Sequence, residues 1–206
     1  MDKEKWSRMP EEETIKDTIK AIKSRGVNVI LVENREAALN KLKEIIPAGA
    51  EVMNGSSTTL DEIGFVDLLS SGKHKWKNLH EEIFKVKDQE KQSDLRRKSV
   101  TSEYFLGSVN AIAKTGQLVA CDASGSRVTA YPFAAKNLVL VAGVQKIVPT
   151  LNDALKRIND HVYPLEDKRA RKAYGMGSTV GKCVIIEREI FQGRTTLILV
   201  KEKLGF

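Results

Sequence analysis

Two short stretches hold most of the residues that could do chemistry. In the first, Asn54, Gly55, Ser56, Ser57, Thr58 and Thr59 are consecutive. A glycine, four hydroxyls and free backbone N–H groups ahead of a helix suit a phosphate or carboxylate, because the first amides of a helix are unpaired and its dipole favours negative charge. The same hydroxyls also suit plain helix capping, since Thr58-x-x-Asp61 and Thr59-x-x-Glu62 both have capping-box spacing. In the second stretch, Asp122, Ser124, Gly125, Ser126 and Arg127 leave a strand end together. Arg127 can fork an anionic group through two parallel hydrogen bonds, and Asp122 is the candidate acid or base beside it. The alternative is a turn in which Asp122 bonds its own backbone and Arg127 is solvated. Lys146, just past Ala142-Gly143, is a third candidate anion-binding cation.

Several chemistries are disfavoured by what is missing. The Gly55 loop has no Walker lysine and the chain has no GxGxxG, so neither a P-loop nor a dinucleotide cradle is expected. Cys121 and Cys183 share no CxxC, and His74, His80 and His161 are scattered, which argues against zinc and iron–sulfur sites. Each cysteine sits in an apolar run and reads as a small core residue rather than a nucleophile, in a reducing compartment. His161, near Pro164, reads as structural. No metal and no cofactor are expected in this chain.

The 206 residues are 41% hydrophobic and 30% charged, enough for one domain with a sizeable core and no need of staples. No run approaches the roughly 18 apolar residues of a membrane span, and a cytoplasmic protein is expected. The charge is 34 − 27 = +7, but the basic residues are interleaved with acids. The richest stretch, 73–98, has nine Lys/Arg against five Asp/Glu, and a solvated helix face explains it better than a nucleic-acid groove.

The elements that must position these residues can be read from periodicity. Ile15, Ile19 and Ile22 predict a helix ending at Gly26, with residues 1–10 flexible before it. Val27–Val32 is a strand apolar enough to be buried on both faces. A helix through Ala38, Leu42 and Ile45 and a strand at Glu51–Met53 complete a βαβ unit. Leu60, Ile63 and Leu68 predict a further helix, and a long polar helix follows from about Leu79 to Arg97. Tyr104, Phe105, Val109 and Ile112 keep helical spacing up to Thr115-Gly116. Gln117–Cys121 and Leu138–Ala142 are strands, and Leu151, Leu155 and Ile158 mark a helix. Cys183–Glu187 and Thr195–Val200, around Gln192-Gly193-Arg194, predict an antiparallel hairpin. The fold class is α/β, an open, mostly parallel sheet flanked by helices with that hairpin appended, and its strand-end loops are where ligands bind.

One ordered set of motifs goes further. Phe105-Leu106-Gly107-Ser108-Val109-Asn110-Ala111-Ile112, Thr115-Gly116-Gln117-Leu118-Val119, Asp122–Arg127, Tyr131–Lys136, Gly143–Pro149, the Asn54–Thr59 loop and Val200–Phe206 together resemble the LUD (lactate-utilization) domain family over about residues 11–206. The resemblance implies the fold of ribose-phosphate isomerases, glucosamine-phosphate deaminases and CoA-transferases, whose strand-end loops bind anions. It implies that loops 54–59 and 122–127 share one pocket, adds Thr115 and Gly116 to the anion-binding residues, and points to 2-hydroxy acid utilisation. The larger lactate-utilization proteins carry cysteine-rich iron–sulfur modules, which this chain lacks. The expected partners are therefore a small anionic metabolite, iron–sulfur or oxidoreductase subunits, and further copies of the chain. The rival reading is a non-catalytic accessory or metabolite-sensing subunit.

Overall fold

Alternation along the strands decides how the molecule is layered. The computed structural model describes residues 3–206. In chain order the elements are α1 (Glu12–Ser24), β1 (Asn28–Val32), α2 (Arg35–Ile45), β2 (Glu51–Asn54), α3 (Thr58–Glu62), α4 (Phe65–Ser70), β3 (Lys77–Asn78), α5 (Leu79–Lys85) and α6 (Gln89–Lys98). Then come β4 (Tyr104–Gly107), β5 (Ala111–Ala113), β6 (Leu118–Asp122), β7 (Asn137–Gly143), β8 (Ile147–Val148), α7 (Leu151–Arg157), α8 (Tyr163–Tyr174), β9 (Lys182–Ile186) and β10 (Thr195–Val200). Six strands form a parallel sheet in the order β1-β10-β7-β4-β2-β3, and four form a mixed sheet in the order β8-β5-β6-β9.

Successive side chains of the parallel strands point to opposite faces, and both faces are apolar. Val52, Leu106, Val139, Val141, Ile198 and Val200 pack with α2, α3 and α4 on one side. Met53, Phe105, Leu138, Leu140, Leu197 and Leu199 face α1 and the second sheet on the other. The far face of that second sheet, through Ala111, Val119 and Val148, meets Ala154 and Ile158 of the α7 region. The result is helices, six-stranded sheet, four-stranded sheet and helix in successive layers.

Several sequence expectations need correcting. The predicted helix over 104–112 is β4 and β5. Phe105 and Leu106 enter opposite cores, which a strand allows and a helix does not. The predicted hairpin does not exist: β9 pairs antiparallel with β6, whereas β10 lies parallel between β1 and β7. The polar helix over 79–97 is two helices, because Asp88 caps the second by accepting from Lys91 N at 2.9 Å. The helix through Leu60 and Leu68 breaks at Gly64, whose φ of 77° is left-handed. Neither capping box forms; Ser57 is the N-cap instead and accepts from Leu60 N at 3.3 Å. Of the segment 1–10, Met1 and Asp2 lie outside the described residues. Trp6 is buried, and its carbonyl accepts from Arg157 Nε at 3.0 Å, so this part is anchored.

The two cysteines are not separate core thiols. Cys121 and Cys183 are directly opposed in the β6–β9 register and are joined as a disulfide, with Cα atoms 4.2 Å apart. Their 62-residue separation hides the pairing, which depends on a long-range strand register.

Candidate functional site

Residues just past the ends of β2, β4, β6 and β7 line a cavity of about 860 Å³. The strand-end loops expected to bind a ligand are thus brought together. Asn54, Gly55, Ser56, Ser57, Thr58 and Thr59 form one wall, and Asp122, Ser126 and Arg127 form another. Lys146 reaches the same space from the turn after β7.

The contact between the two loops is direct. Gly55 lies flat under the aliphatic part of Arg127, and a Cβ there would come within 2.3 Å of both Cγ and Cδ. Arg127 donates from Nη2 to the Cys121 carbonyl, and its backbone N–H donates to Asp122 Oδ2 at 2.8 Å. Asp122 therefore holds the turn that presents Arg127, while still lining the cavity.

Lys146 is almost fully buried at 2% exposure. Its Nζ donates to Thr59 Oγ1 at 3.0 Å, Ser108 Oγ at 3.1 Å and the Val109 carbonyl at 3.0 Å. Ser108 is itself fixed by Tyr131, whose hydroxyl donates to the Ser108 carbonyl at 3.0 Å and accepts from Ser108 N at 3.2 Å. Gly107 makes room for this, because a Cβ there would sit 2.0 Å from that hydroxyl. Behind the floor, Arg157 is wholly buried and donates to the Trp6 and Asn110 carbonyls, leaving its Nη2 without a partner among the described residues.

Asp61, Glu81, Asp122 and Glu166 also line the cavity, but the cations at and behind its floor are not paired with them. Lys146, Arg127 and Arg157 bond only hydroxyls and carbonyls through their side chains, and none has a carboxylate ion-pair partner among the described residues. Burial first, then the charges of Arg157 and Arg127, holds the Lys146 ammonium well below the usual lysine range. Burial pushes Arg157 down to about 10. Unpaired buried charge is costly, so a cluster of this kind favours an incoming anion. The helix dipole adds little, because α3 has only five residues.

Not every predicted residue faces the cavity. Thr115 and Gly116 lie elsewhere: the Thr115 carbonyl accepts from Arg25 Nε at 2.6 Å, and Gly116 is pressed against the α1 backbone at Ala21. Ser124 and Gly125 shape the second loop without lining the space. Ser124 bonds Ser126, and Gly125, at φ 90°, abuts Lys182.

Sequence reasoning missed His80, Ser108 and the backbone irregularity after α7. His80 lines the cavity from α5, its Nε2 bonding the Asn54 carbonyl at 2.6 Å and its ring stacked on Phe84. A carbonyl partner requires Nε2–H, and burial, reinforced by Arg96 and opposed by that hydrogen bond, lowers its pKa. Its neighbours in sequence are polar and helical, which concealed it. Ile158–Val162 is a π-helical turn between α7 and α8 that places Ile158 and Val162 on the cavity wall. Such turns concentrate at functional sites but leave no simple trace in sequence.

The model of the LUD domain matches residues 15–200. The chain belongs to the LUD domain family. A LUD domain is thereby associated, in general terms, with lactate utilisation. No curated protein matches the chain. Among solved structures, a DUF162 family protein from Deinococcus radiodurans is similar over 94% of this chain and 99% of its own, with a TM-score of 0.52 and 12% identity. At that identity the likeness concerns the fold of the LUD domain and not its ligand.

Proposed function

We propose that this LUD domain binds a small anionic metabolite, a carboxylate or phosphate, between loops 54–59 and 122–127, in the service of 2-hydroxy acid utilisation. The observation that carries the reading is that Lys146 and Arg127 line one cavity, with Arg157 buried behind its floor, and that the side chain of none of the three is ion-paired to a carboxylate among the described residues. Arg127 supplies the forked donor and the fixed positive charge, Lys146 a buried amine that an incoming anion would favour in its protonated form, and the amides and hydroxyls of Ser56–Thr59 the remaining donors. Asp122 acts first as the group that holds Arg127, and is the candidate proton carrier if turnover occurs. Electron transfer falls to partner subunits in this reading.

The test is calorimetric titration with L-lactate, pyruvate and inorganic phosphate at constant ionic strength, paired with growth on L-lactate after gene disruption. Binding that Arg127→Ala weakens at least tenfold, with slowed growth on lactate alone, supports the proposal. Absence of binding by every anion, or binding indifferent to Arg127, overturns it.

A further inference from the structure

The cavity is too large for the smallest ligands that its charge would suit. A three-carbon hydroxy acid has six heavy atoms; at roughly 30 Å³ for each water-sized atom it fills about a fifth of such a space. The actual volume, about 860 Å³, lies in the range that encloses drug-sized molecules. What lines the remainder differs from the cationic floor. Phe84 on α5 and Tyr174 on α8 stand at the cavity with 74% and 64% of their surfaces exposed. Phe84 stacks on His80 with centroids 5.8 Å apart, and the Arg169 guanidinium lies 5.5 Å from the Tyr174 ring centre. Arg169 is already neutralised by a two-pronged pair with Glu166 at 2.7 and 2.8 Å. Val100 and Val162 add apolar wall to the same cavity. The same cavity thus offers the side chains of Arg127 and Lys146, neither ion-paired among the described residues, and the exposed rings of Phe84 and Tyr174.

We propose that the ligand is a planar ring bearing an anionic arm, the chemistry shared by nucleoside monophosphates and aryl phosphates. The arm seats between Arg127, Lys146 and the Ser57 loop, and the ring seats against Phe84 and Tyr174. This rests on the anion-site reading and extends it. Exposed aromatic faces attract flat π-systems, and stacking is tolerant of ring identity.

The experiment is calorimetric titration of the full chain with AMP, 1-naphthyl phosphate, ribose 5-phosphate and inorganic phosphate at one ionic strength. AMP and naphthyl phosphate are expected to bind at least tenfold more tightly than the two ring-free compounds. The Phe84→Ala/Tyr174→Ala protein, altered only at exposed side chains, is expected to lose that advantage, with inorganic phosphate as the internal reference. AMP binding without naphthyl phosphate binding would assign the ring site to nucleotides, and the reverse would assign it to aryl acids; both support the two-part ligand. Equal affinity for all four phosphates, or an advantage that survives the double substitution, overturns it while leaving the anion site standing. If none binds, or if Arg127→Ala changes no affinity, the anion-site reading itself has failed.

Discussion

Gly55→Ala separates the role of Arg127 from that of the loop around it. Gly55 is not in the left-handed region, so alanine meets no backbone strain there. The added methyl would nevertheless fall 2.3 Å from Arg127 Cγ and Cδ and 2.9 Å from its Cβ. Ordinary carbon contacts are about 3.5–4.0 Å, so the arginine must swing away, which a long flexible side chain can do. The fold then loses one hydrogen bond to the Cys121 carbonyl, costing about 1 kcal/mol, offset by the roughly 0.4–1 kcal/mol that Gly→Ala gains by stiffening the unfolded chain. Stability should change by less than about 1 kcal/mol. Affinity should change more, because a hydrogen bond between charged partners contributes about 1.5–3 kcal/mol, or roughly ten- to 150-fold in Kd. Calorimetry of inorganic phosphate with wild type, Gly55→Ala, Arg127→Ala and the double variant reads this out. The two single losses should be similar and the double no worse than either, as expected of one shared interaction. Wild-type affinity in Gly55→Ala, or losses that add in full, would refute the argument.

Lys146→Met should reduce anion affinity at least tenfold while moving chemical-denaturation stability by no more than about 1 kcal/mol, because an apolar side chain of similar length removes an uncompensated buried charge; a loss above about 3 kcal/mol would make the lysine structural instead. Breaking the Cys121–Cys183 bond with dithiothreitol or as Cys121→Ser/Cys183→Ser should lower stability by up to about 4 kcal/mol, from the loop entropy of a 62-residue separation, and an unchanged melting temperature would contradict it. Burial and the Arg157 charge hold His161 down at about 4, and burial also lowers His80, so the folded state takes up fewer protons than the unfolded chain below pH 6.5. Their contribution is complete above pH 6.5 and is lost as pH falls toward 4; for the half-buried His161 this amounts to about 1–2 kcal/mol after solvent screening. Urea titrations of wild type and His161→Gln should differ in pH slope across that window, and parallel curves would count against the assignment.

What could be read from the residues depended on how local the determining interaction is. The β-branched run at 28–32 is a strand as expected but lies at the sheet edge with only Val32 buried, not buried on both faces, whereas the apolar run at 138–142 is buried on both faces, and that shows in composition alone. Tyr104–Gly107 satisfied the same condition, but Val109 and Ile112 completed a helical spacing by coincidence, and only the sheet order distinguishes the two. The placement of Cys183–Ile186 beside β6, rather than beside β10, is likewise a matter of long-range register. At the site, the donor-rich Asn54–Thr59 loop and Arg127 were legible from residue type. Lys146 showed as a cation without its burial, since three neutral acceptors from distant segments enclose it. His80 and Ser108 carry no signal of their own and acquire one only from what the fold sets opposite them.

The most direct test of the central claim is where an anion sits. Crystals of the wild-type chain soaked in selenate, with anomalous data collected at the selenium edge, should show a peak within hydrogen-bonding reach of Arg127 and the Ser56–Thr59 amides, absent from Arg127→Ala crystals treated identically. Peaks confined to the outer surface, or an unchanged peak in the variant, would contradict the account.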